Sequence, residues 1–143
     1  MRMPRQLELL NKYPYFYFDE NDFFVEATNF MMTGEDIDLV YLFLASDLGF
    51  FSFSKFYTGP QFDATGFRYK KAYLDETFIP TPSNHHANTL RSLMELLKKG
   101  NDVNSKINDT WGEIIGLDEE EMQMVSQYKL MLAASALDES NFL

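Results

Sequence analysis

His85 and His86 are the only histidines of this chain, they stand side by side, and there is no cysteine. Thiol nucleophiles, disulfides and thiolate metal sites are therefore excluded. Adjacent residues on a helix point about 100° apart, so the two imidazoles do not easily share one metal. They also fall at the start of a helical pattern, where the dipole disfavours a charged imidazole. A zinc site would have to recruit carboxylates such as Asp75 or Glu76. The expectation is a solvated helix start, with no metal and no cofactor.

Carboxylates are the other group with chemical reach. Asp19-Glu20-Asn21-Asp22 has the oxygen density of a calcium loop but lacks the glycine and the distal bidentate Glu of an EF-hand. It reads as a polar turn. Asp118 with Glu121 resembles a capping box, with Asp in place of Ser or Thr. The 22 acids permit many pairs for proton transfer, but no spacing singles one out. No phosphate-binding glycine loop is present, and no glycine pair brackets a serine as a nucleophile elbow. Arg68, Lys70 and Lys71 interleave with Phe67, Tyr69 and Tyr73, a pattern that can stack and neutralise single-stranded nucleic acid. An amphipathic strand with snorkelling bases explains the same residues, and the overall charge favours that explanation. Asn108-Asp109-Thr110 matches a glycosylation acceptor by chance, because no apolar signal segment follows the basic N-terminus.

What stands out is a segregation of rings and charge. Between Tyr13 and Tyr57 lie 15 of the 23 aromatic residues and eight carboxylates, and the first base in that block is Lys55. The net charge of −10 is distributed as +2 over residues 1–12, −8 over 13–54, +3 over 55–106 and −7 over 107–143. Such a field repels nucleic acid and anionic membranes and favours a basic partner. The same charge also serves solubility. The candidate partner-binding residues are Asp19, Glu20, Asp22, Glu35, Asp36 and Asp38. Phe56, Tyr57 and Phe62 are the candidate aromatic anchors, at a strand end and the loop after it.

These residues need a scaffold. Arg5 to Lys12 suits a short helix after Pro4. Residues 13–18 and 23–28 are ring-rich and β-prone, and the acidic turn between them makes a hairpin. Thr33 reads as the cap of an apolar helix carrying Ile37, Val40, Tyr41, Leu44 and Leu48, with Gly49 as its stop. Phe50 to Tyr57 alternates like a strand, and Phe67 to Leu74 is the next one. From Ser83 the pattern turns helical. His85 to Lys99 carries a stripe of Leu90, Leu93, Met94 and Leu97 and ends at Gly100. Val103 and Ile107 are the anchors of an ambiguous segment. A long helix from Asp118 to Leu137 buries Met122, Val125, Tyr128, Met131 and Leu132. The expected fold is α+β in one domain of residues 1–143. A small antiparallel sheet of about four aromatic-rich strands, with one buried helix, occupies 1–82, and helices fill 83–143.

The functional expectation is a non-enzymatic, cytoplasmic interaction module that binds a basic protein surface, without direct contact to nucleic acid or membrane. An inhibitor or adaptor carried by a mobile element or virus fits that description. Three alternatives stay open. One is a nucleic-acid mimic that blocks a DNA- or RNA-binding protein. Another is a structural subunit of a larger assembly. The last is a small carboxylate-dependent enzyme.

Overall fold

The computed structural model describes residues 16–21, 31–57 and 75–140. Among them every regular element is helical and no strand occurs, which overturns the α+β expectation. The helices are α1 (Ile37–Leu44), α2 (Asp47–Ser52) with a π-helical turn over Phe53–Tyr57, α3 (Asn84–Lys98), α4 (Asn104–Ile115) and α5 (Glu119–Ser140). The helix expected before Lys12, the strand over 23–28 and the strand over 67–74 lie outside the described residues. Residues 16–18 carry no regular structure.

The strand expected over Phe50–Tyr57 is a helix for an identifiable reason. Ser46, Gly49, Phe50, Phe53 and Ser54 are all buried. Their spacing is that of one helical face. The serines disguise it. The Ser46 hydroxyl donates to the Phe43 carbonyl at 2.6 Å, and the Ser54 hydroxyl donates to the Phe50 carbonyl. Serine bonded back to its own helix carries no polar cost inside. Counted as polar, Ser54 together with Ser52 turns a helical face into an apparent alternation over residues 50–57.

Gly49 is likewise no stop. It lies inside α2, and a Cβ there would overlap the Phe43 carbonyl. Its missing side chain lets α2 fold back tightly on α1. The two helical stretches meet at 72°. Ser46 caps α2, accepting from the Gly49 amide at 3.1 Å. Thr33 is exposed and does not cap α1. Asp36 occupies the cap position in the left-handed region at φ 55°, without a side-chain capping bond. Asp tolerates that conformation better than most residues.

The C-terminal half follows its pattern closely. Ser83 caps α3, Gly100 follows it at φ 88°, and Ala87, Leu90, Leu93 and Met94 are buried. Val103, Ile107 and Trp111 anchor α4. Asp118 and Glu121 exchange backbone bonds at 2.9 Å, so the capping box at the start of α5 is complete. Packing joins α1 to α3, α3 to α4, and α2 to both α4 and α5. Trp111 is fully buried and meets Phe43 edge-on at 5.1 Å between ring centroids. Asn108, half-buried on α4, accepts from the Asp47 amide and donates to the Asp47 carboxylate at 2.9 and 3.0 Å. The asparagine of the chance glycosylation match is thus used to dock α2. No single described helix is long and apolar enough to cross a membrane.

Candidate functional site

The acids of the N-terminal block meet bases of α3. Arg91 and Lys98 are seven residues apart and so share a helix face. Arg91 Nε donates to Asp38 Oδ2 at 2.9 Å, and Nη2 donates to Asp36 Oδ1 at 2.5 Å. Lys98 Nζ donates to Glu20 Oε1 at 2.7 Å and lies 3.5 Å from Glu95 Oε1. The segment carrying Glu20 is seated by rings. Phe18 lies 5.5 Å from Tyr41 and 5.4 Å from Lys98 Nζ. An open groove of about 440 Å³ runs along this seam, lined by Asp38, Arg91, Met94, Glu95 and Lys98 among others.

The electrostatics agree with the geometry. Burial alone would raise Asp38, but the Arg91 hydrogen bond and charge, with the Leu39 amide at 2.9 Å, hold its carboxyl below the ordinary value. The Asp38 and Asp36 carboxylates raise Arg91, and Glu20 raises Lys98. Burial raises the Tyr41 phenol. A carboxylate held ionised beside a guanidinium is a structural ion pair and does not suit general acid work.

The other candidate residues are dispersed. Asp19 accepts from the Asn21 amide at 2.9 Å, which makes the acidic turn an Asx turn. Glu35 is exposed. Phe56 is 74 % exposed, whereas Phe50 is buried. Tyr57 ends the π-helical turn. Asp22 and Phe62 lie outside the described residues. Sequence reasoning missed Arg91 and Lys98. Their heptad spacing on a helix with a clear apolar stripe was the signal that marked them as one charged face.

A second arrangement has the look of nucleophile chemistry. Ser83 Oγ lies 3.0 Å from His86 Nδ1, and His86 Nε2 lies 3.6 Å from Glu113 Oε2. Ser83 also accepts from the His86 amide at 3.3 Å as the cap of α3. Neither the seam groove nor a smaller one beside Leu97 and Asn104 is lined by these side chains. The trio therefore caps α3 and ties it to α4. No group of three or more metal-ligating side chains gathers among the described residues.

Three C-terminal acids lack the pairing that Glu20, Asp36 and Asp38 show. Asp109, Glu119 and Glu120 are exposed and have no cationic partner among the described residues. Beside them α5 presents Met124 at 63 %, Leu130 at 70 % and Met131 at 65 % exposure. The chain matches no family model, no curated protein and no solved structure.

Proposed function

We propose that this chain is a non-enzymatic, cytoplasmic interaction module whose acidic surface binds a basic protein surface, acting as an inhibitor or adaptor. One observation carries the reading. The N-terminal acids Glu20, Asp36 and Asp38 are matched by bases of the same fold, whereas Asp109, Glu119 and Glu120 are exposed and have no cationic partner among the described residues. The C-terminal segment therefore adds exposed, uncompensated charge to the outward field. Exposed unpaired carboxylates steer association and suppress wrong partners more than they add affinity. Exposed Met124 and Met131 supply adaptable apolar contact beside them. Surface pairing of Glu20, Asp36 and Asp38 with Lys98 and Arg91 weakens the nucleic-acid-mimic alternative, which needs an open array of charge.

The test is affinity capture from the cell of origin at low and at physiological salt. The expected result is a basic protein retained at low salt and progressively lost as salt rises. A captured partner that is acidic, or whose binding ignores salt, overturns the proposal.

A further inference from the structure

We infer that the outward face of α5 is the docking surface, and that its occupant is a basic amphipathic helix with an apolar centre and cationic ends. This rests on the acidic-module reading above and names the surface and partner it requires. Glu120, Met124, Gln127 and Met131 recur at the spacing of one helix face, and all four are exposed. The core-facing side is distinct, with Val125 buried and Met122 and Tyr128 half-buried. At 22 residues α5 is about 33 Å long. It packs chiefly on α2. From Leu130 to Leu137 no charged residue occurs. A stripe of exposed apolar side chains such as Met124, Leu130 and Met131 is normally covered by something.

Charge decides what covers it. Glu119, Glu120 and Glu121 open the helix, Asp138 and Glu139 close it, and Lys129 is its one base. The pattern is acid, apolar, acid. A second copy of α5 would set like charges against each other, whether the two helices ran parallel or antiparallel. Juxtaposed like charges disfavour such a pair and act as a device against self-association. A helix with Lys or Arg at both ends and an apolar middle sets opposite charge against the acidic residues that begin and end α5, in either direction. Helix-in-groove recognition of this kind reads anchors at helical spacing, and methionines adapt to the partner's side chains.

The probe is a synthetic helical peptide with a leucine and alanine centre and lysines at both ends. Its control is the same peptide with glutamates at the ends. The full chain is used, as wild type, as Met124→Glu with Met131→Glu, and as Met124→Leu with Met131→Leu. Circular dichroism confirms the fold of each. The expected result is binding of the lysine peptide, weakened about tenfold or more by the glutamate pair and kept by the leucine pair. Equal binding of the lysine peptide to wild type and the glutamate pair removes this docking face but leaves the acidic module intact. Equal binding of both peptides to the wild type removes the acidic module itself. No binding of the lysine peptide overturns the docking inference. So does a wild-type dimer in sedimentation that the glutamate pair dissolves, because the face then belongs to a second copy.

Discussion

At the scale of single residues, the most sensitive positions are those where atoms already touch. A Cβ at Gly49 would overlap backbone of Phe43, and backbone yields little in a packed turn. Gly49→Ala is expected to cost about 3 kcal/mol or more, read from urea midpoints. Gly112 gives the contrast. A Cβ there meets Met122 Sδ at 2.5 Å, the movable end of a flexible side chain. Gly112→Ala is expected to cost about 1 kcal/mol or less, with the helix-propensity gain offsetting repacking. Asp38 carries the pH dependence of the seam. Its folded pKa lies below the unfolded value of about 3.9, so its contribution is present above that pH. It is lost as pH falls through the folded value. Asp38→Asn should therefore flatten the loss of stability below about pH 4 while leaving its slope near neutrality unchanged. A series of urea midpoints across acid pH reads this directly.

Among the elements, α5 is held by its inner stripe and its first turn. Tyr128 is half-buried, with ring centroids 5.2 Å from Phe51 and 6.1 Å from Phe50, and Lys55 Nζ lies 4.7 Å from its ring. Tyr128→Asp removes these contacts and sets a carboxylate against two rings. The expected loss is about 3 kcal/mol in thermal or urea unfolding. Asp118→Ala removes half of the capping box and should cost about 1 kcal/mol. The helices beyond Ser83 were legible because apolar stripes, caps and terminal glycines agreed there. Ser83, Gly100, Asp118 and Glu121 all do what their residue types suggest. The aromatic half was misread where local chemistry runs against type. Ser46 and Ser54 are interior because their hydroxyls bond back to their own helices. Gly49 serves a close approach and ends nothing. Met131, expected in the buried stripe, is exposed because it lies on the Met124 side of α5.

For the molecule as a whole, charge segregation along the sequence is partly an internal matter. The acids at 20, 36 and 38 find Lys98 and Arg91 at sequence separations of 78, 55 and 53 residues. No local pattern reveals pairs so distant, so the sequence singled out these acids without showing their occupation. What it did show was the excess at the far end, −7 over residues 107–143. The central claim is that this C-terminal field, and not the paired N-terminal acids, faces the partner. The direct measurement is the association rate of the lysine-ended peptide as a function of salt, by stopped-flow fluorescence. Three forms are compared: wild type, Glu119→Lys with Glu120→Lys, and Glu20→Gln with Asp36→Asn. Slowing of about tenfold, with a shallower salt dependence, is expected for the first variant, and little change for the second. Equal rates for all three forms, or slowing only in the N-terminal variant, would contradict the claim.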